Sequence, residues 1–133
     1  MVGPINQLVP QLSAHVRDDV VVVSLRGELD IFGVSVLQAQ LSQTRGQGRA
    51  RCVADLAELA SIDRVCLGVL VRHGREIRRQ GGSFALAAPQ AAVRQVLSVT
   101  GLLSWFEVHD TVDEALAGAA AHRLPGPAFP LEC

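Results

Sequence analysis

Apolar positions fall along this chain in two alternating rhythms, short β-branched runs and longer stretches of helical spacing. Asp19 to Leu25 holds Val20-Val21-Val22-Val23, a run suited to a buried strand, and Gly27-Glu28-Leu29-Asp30 is expected to close it. Val34, Leu37 and Leu41 then recur at helical spacing up to Gly46 and Gly48. Arg51 to Leu56 reads as a second strand, with a loop after it. Leu67, Leu70, Val71, Gly74 and Ile77 line one face of a helix that stops at Gly81-Gly82.

The same alternation continues to the end. Ser83 to Ala88 is a third strand, and Pro89 suits the first turn of a helix, where its missing N–H would go unpaired anyway. Val93, Val96 and Leu97 face the core of that helix, and Gly101 ends it. Trp105 to His109 is a fourth strand. Thr111-Val112-Asp113-Glu114 sets a hydroxyl and a carboxylate three apart, a capping-box pattern that opens an Ala-rich helix. Leu8 to Val16 supplies one more edge strand, joined through Arg17-Asp18-Asp19 by a turn so tight that only an antiparallel hairpin fits. Strands and helices linked by short connections predict an α/β fold, a mixed but mostly parallel sheet of four or five strands with about four helices.

Composition narrows the function. The chain has 133 residues, 49% hydrophobic, which fits one domain with a sizeable core. Its 12 basic residues, all Arg, nearly balance 13 acidic ones, so overall charge gives no support to a nucleic-acid or membrane-surface role. The missing Lys reads as a composition bias rather than chemistry. No leader pattern opens the chain, and no apolar stretch approaches the roughly 18 residues of a membrane span. Cys52, Cys66 and Cys133 are odd in number and unrelated in spacing, neither a disulfide framework nor a metal pattern. A reducing, cytoplasmic location is the expectation. His15, His73, His109 and His122 are scattered, so no metal is expected, and no Gly-rich phosphate loop follows any strand, so no cofactor is either.

The order of several short motifs resembles the STAS domain, and within it the bacterial anti-sigma factor antagonists. These are Leu25-Arg26-Gly27-Glu28-Leu29-Asp30, Val53-Ala54-Asp55-Leu56, and Ile62-Asp63 followed by Leu67-Gly68-Val69-Leu70. Gly81-Gly82, Ala91-Ala92-Val93-Arg94-Gln95-Val96-Leu97 and Thr100-Gly101-Leu102 follow. Each piece alone is weak; their order and spacing are specific, and they span roughly residues 10 to 118. The resemblance implies a STAS-like sheet with helices packed mainly on one side. It divides the chain into an extension (1–9), the STAS domain (10–121) and a Pro-rich tail (122–133). It also implies a non-catalytic protein that binds an anti-sigma factor of kinase type and so frees a sigma factor.

In that family the loop usually reads Asp-Ser-Ser/Thr-Gly-Leu, and the partner phosphorylates the second hydroxyl residue to break the complex. Here the stretch is Asp63-Arg64-Val65-Cys66-Leu67. Val65 has no oxygen to accept a phosphoryl group, so the roughly −1.5 to −2 charges that a phosphate brings cannot arise there. Either the protein is a constitutive antagonist governed by its abundance, or it answers another input and has lost the kinase.

The resemblance and helical geometry together suggest a partner-binding set: Asp30, Ile31, Phe32, Ser61, Asp63, Arg64, Val65, Cys66, Val69 and Arg72. At about 100° per residue, Val65, Val69, Arg72 and Glu76 fall opposite the apolar stripe of their helix, a small apolar patch with a charged rim. Scattered surface valines are the bland alternative. Phe32 either anchors an interface or tucks under the next helix. Asp30 and Asp63 cap helix starts more readily than they form a catalytic pair. Cys66, in a first helical turn, is either a thiol of lowered pKa and a redox input, or a small apolar filler. Cys52 reads as an inert strand residue and Cys133 as a free thiol on the tail. Ser61 is either an alternative phosphosite or a loop residue bonded to backbone. Arg72, Arg75, Arg78 and Arg79 read as a solvated face. Two further readings stay open, an accessory subunit of an ABC-type lipid transporter and a homodimer through the edge strand.

Overall fold

The computed structural model describes residues 11–17, 19–46 and 51–121. In chain order these form β1 (Gln11–Arg17), β2 (Val20–Leu29), a 3-10 turn (Ile31–Gly33), α1 (Val34–Gly46), β3 (Arg51–Ile62) and α2 (Arg64–Arg79). Then follow β4 (Ser83–Ala87), α3 (Ala91–Val99), β5 (Glu107–His109) and α4 (Val112–Ala121). The five strands make one sheet in the order β1-β2-β3-β4-β5. β1 runs antiparallel to β2, and every other pair is parallel. The hairpin is as tight as expected: Arg17 sits opposite Val20, and Asp19 takes the left-handed conformation at φ 69°, which Asp tolerates better than most residues. Leu8 to Pro10, His122, Cys133 and the Pro-rich tail lie outside the described residues.

The valine run has a simple cause. Successive strand residues point to opposite faces, and both faces of β2 are covered. Val21, Val23 and Leu25 join the larger core cluster, which takes Leu37 and Leu41 from α1, Leu67 and Leu70 from α2, and Val93 and Leu97 from α3. Val20 and Val22 join a second cluster with Val53, Ala87 and the Ala115, Leu116 and Ala119 of α4. Three helices therefore share one core, while α4 seals the opposite face. A run that is apolar at every position is what a strand buried on both sides requires.

Two strands outrun their expected ends. β2 passes through Gly27-Glu28 to Leu29, and β3 passes Leu56 to reach Ile62. The register shifts between Ser24 and Arg26 and again between Gly27 and Glu28, and Gly27 takes φ +80°. The glycine thus absorbs an irregularity inside the strand instead of ending it. As a result Leu29 pairs with Ile62 at the far end of the sheet, and the segments after each strand start side by side. Two smaller differences are local. Pro89 stands just before Gln90, the N-cap of α3, and not inside the first turn. Trp105 and Phe106 donate their N–H groups to the carbonyl of Leu102 in a turn, so β5 begins only at Glu107.

Behind α2 the core is aromatic. Phe84 is fully buried on β4, with the His73 ring edge-on at 5.2 Å and Phe106 at 6.0 Å.

Candidate functional site

The carboxyl ends of β2 and β3 are neighbours, and in a parallel sheet this is the edge where ligand loops gather. Each strand hands over to a helical turn by the same device. Asp30 is extended, and its carboxylate accepts the N–H of Phe32 at 3.0 Å, opening the 3-10 turn. Asp63 is extended too and accepts the N–H of Cys66 at 3.0 Å, opening α2. Both carboxylates act as N-caps, satisfying amides that a helix start leaves unpaired.

Two further bonds tie the turns together. The N–H of Asp63 donates to the carbonyl of Leu29 at 2.9 Å, and the Cys66 thiol donates to the carbonyl of Asp30 at 3.2 Å. The second link crosses 36 residues of sequence and fixes the Ile31-Phe32 turn beside the N-terminus of α2. On this base the side chains diverge. Phe32 is 84% exposed, Ile31 60%, Val65 48% and Val36 of α1 40%. Phe32 thus lies in solvent instead of tucking under α1. Val36 was not anticipated, because one valine on the polar face of a helix carries no signal in the sequence. Arg64 is exposed on the first helical residue, Val65 follows it, and Ser61 is exposed on β3 opposite Glu28.

Three expectations fail here. Val69 is 4% exposed and belongs to the core. The apolar stripe legible in the sequence of α2 is that of a helix packed on the sheet alone, but α2 also packs on α1, so a second face is covered. Val69 and His73 lie on that face with Leu41 of α1. Cys66 is wholly buried, and burial first, then the nearby Asp63 and Asp30, pushes its thiol up to about 12. That is the reverse of the activated thiol a helix N-terminus can create, and it leaves the apolar-filler reading. Cys52 is buried on β3 and inert, its thiol likewise pushed to about 12 by burial. Ser61 stands in strand β3, not in a loop.

Arg72 remains exposed and rims a groove of about 260 Å³ between α1 and α2, with Gln38, Ser42, Leu41, Val69 and His73 as its other walls. Among the described residues no three His, Cys, Asp or Glu side chains converge as metal ligands would. What the edge offers is an apolar patch bordered by arginine, the make-up of a protein-binding surface.

The fold and the family have known relatives. The family model of the STAS domain matches residues 11–115. A Thermotoga maritima protein that bears the name of an anti-sigma factor antagonist is 33% identical over 100 residues, covering 74% of this chain and 88% of its own. A crystal structure from T. maritima under the same description superposes with a TM-score of 0.76 at 30% identity, over 81% of this chain and 93% of that one. The anti-sigma factor antagonist SpoIIAA superposes with a TM-score of 0.68 at 29% identity in its unphosphorylated form, over 82% of this chain and 94% of that one. In its phosphorylated form, from Bacillus, the score is 0.62 at 28% identity, over 82% and 97%.

Proposed function

The chain belongs to the STAS domain family, among the anti-sigma factor antagonists, and we propose that it is a non-catalytic regulator that grips a kinase-type anti-sigma factor by the edge carrying Phe32 and Val65. One observation carries the reading: Ile31, Phe32 and Val65 are the conspicuously exposed apolar side chains of two adjoining turns, and those turns are locked together by the Cys66–Asp30 and Asp63–Leu29 bonds. Exposed aromatic anchors on rigid backbone are how a protein interface gains affinity without a large ordering cost.

On the motif resemblance, Val65 takes the place of the phosphorylated hydroxyl. A relative with a hydroxyl there gains up to two negative charges inside the interface when modified, and it loses its partner. A valine gains none. The complex of this chain then forms and dissociates by mass action, set by the amounts of the two proteins. The buried, high-pKa thiol of Cys66 weighs against oxidation as a substitute input.

The test is calorimetric titration of the full chain against the purified anti-sigma factors encoded in the same genome, with and without ATP and Mg²⁺. The expected result is a complex with one of them that ATP leaves intact, and a Val65→Ser variant that binds but is phosphorylated and released. If none of these factors binds, the reading is wrong. If ATP releases the unaltered chain through a phosphate on Ser61, the constitutive part of it is wrong.

A further inference from the structure

Charge on this nearly neutral molecule is segregated. α1 and α2 together carry Arg45, Arg64, Arg72, Arg75, Arg78 and Arg79, but a single carboxylate, Glu76. Glu76 is occupied: it pairs with Arg79 at 3.0 Å and accepts from the Gln80 amide at 3.0 Å. Arg78 is turned away, donating to the Trp105 carbonyl at 3.2 Å and stacking 4.3 Å over the Trp105 ring. Arg64, Arg72 and Arg75 are exposed, and no carboxylate among the described residues pairs with them. At about 100° per residue, Arg64, Arg75, Arg79 and Arg72 fall within an arc of roughly 80°, one stripe along the length of α2. α1 has no acid to offer across the groove, where it presents Gln38 and Ser42.

A stripe in which three of the four guanidinium groups, those of Arg64, Arg72 and Arg75, have no carboxylate partner among the described residues, continuous with the apolar patch at Val65, is a surface with one missing complement. We propose that this stripe, with Arg72 at the mouth of the α1–α2 groove, is the second half of the docking surface, and that it receives a carboxylate-rich face of the anti-sigma factor. The inference rests on the partner reading above and extends it. Phe32 and Val65 supply apolar anchorage, while Arg64, Arg72 and Arg75 supply orientation and capture. Arginine suits the task because its planar fork takes a carboxylate through two parallel bonds. The arrangement also accounts for Arg64 at the rim: next to the position where relatives acquire negative charge to repel the partner, this chain holds a fixed positive charge that attracts it.

The experiment uses the full chain and the anti-sigma factor retained by it, titrated at low and high salt. The variants are Arg72→Glu/Arg75→Glu, the milder Arg72→Gln/Arg75→Gln, and Phe32→Ala. Charge reversal is expected to weaken binding at low salt by about tenfold or more and to flatten its salt dependence, with the Gln pair in between. Phe32→Ala is expected to weaken binding while leaving the salt dependence as it was. The far-ultraviolet circular dichroism of all variants should match the parent. Binding that is lost in Phe32→Ala but unmoved in both Arg pairs overturns the acidic complement and leaves the partner reading standing. Absence of any anti-sigma factor bound to the parent removes both. Retention of the parent on a single-stranded RNA oligonucleotide, abolished by charge reversal while anti-sigma factor binding stays intact, also overturns the proposal in favour of nucleic acid.

Discussion

The thiol of Cys66 donates to the backbone carbonyl of Asp30 at 3.2 Å, so a residue at the start of α2 holds down the turn that presents Phe32. The contact is buried, and the thiol is pushed up to about 12. The expected outcome is a Cys66 that a maleimide does not label in the native protein at neutral pH and labels readily once the chain is unfolded. Native labelling at the rate of a free thiol would show that the turn opens. Truncation in Cys66→Ala should loosen the turn and weaken partner binding more than it lowers stability, since a weak thiol donor contributes little net energy.

Alkaline pH tests the same burial on another strand. Cys52 is 3% exposed, and its thiol is raised from 9.0 to about 12 by desolvation. The folded chain therefore keeps a proton that the unfolded chain gives up, and stability present below pH 9 falls as pH climbs from about 9 towards 12. The slope is about 1.4 kcal/mol per pH unit for a thiol that ionises only on unfolding. Urea titrations across this range should show that slope reduced in Cys52→Ala; an unchanged slope would assign the loss to other groups.

Two phenylalanines separate binding from stability. Phe32 is 84% exposed and Phe84 1%. Phe32→Ala should move the unfolding free energy by no more than about 0.5 kcal/mol, the usual range for a surface change. It should cost about 2 kcal/mol or more in partner affinity, as an interface anchor does. Phe84→Ala should lose about 3–5 kcal/mol of stability through the cavity it leaves. Denaturant unfolding beside calorimetric binding reads both. A marked stability loss in Phe32→Ala would mean that its ring packs on the fold in solution.

Phe84 falls inside an expected strand, whereas Phe32 follows a turn signal that leaves anchor and core equally open. What could be read was whatever local chemistry decides: the valine run, the tight hairpin that pairs Arg17 with Val20, the caps at Asp63 and Thr111, and the absence of a hydroxyl at residue 65. The Thr111 hydroxyl does accept the N–H of Glu114 at 3.0 Å. What could not be read was decided by neighbours. Val69 looked exposed because no feature of α2 announces that α1 lies against its flank. Cys66 stayed open between a reactive thiol and an apolar filler because helix position is visible in a sequence and enclosure is not. Gly27 looked like a terminator because a glycine at positive φ serves a bulge as well as a turn. The placement of α4 across the opposite face from the other helices is a matter of topology, which short-range periodicity does not encode.

The glycines of α2 give the last prediction, one with two opposite signs. A Cβ on Gly74 would lie 3.0 Å from Cδ2 of Phe84, a ring confined by His73 and Phe106. A Cβ on Gly68 would meet nothing nearer than the Arg72 guanidinium at 4.0 Å, the far end of a flexible side chain. Both sites are helical, so alanine brings each about 1 kcal/mol of backbone entropy. At Gly68 that gain is unopposed, and Gly68→Ala should raise the melting temperature. At Gly74 the contact falls on a confined ring, where overpacking at about 2–3 kcal/mol, the upper part of its usual range, exceeds the gain, and Gly74→Ala should lower it by several degrees. Thermal unfolding of the two variants side by side decides the matter. A Gly74→Ala protein as stable as Gly68→Ala would mean that Phe84 has room to give way, and that α2 is held less firmly on β4 than its contacts indicate.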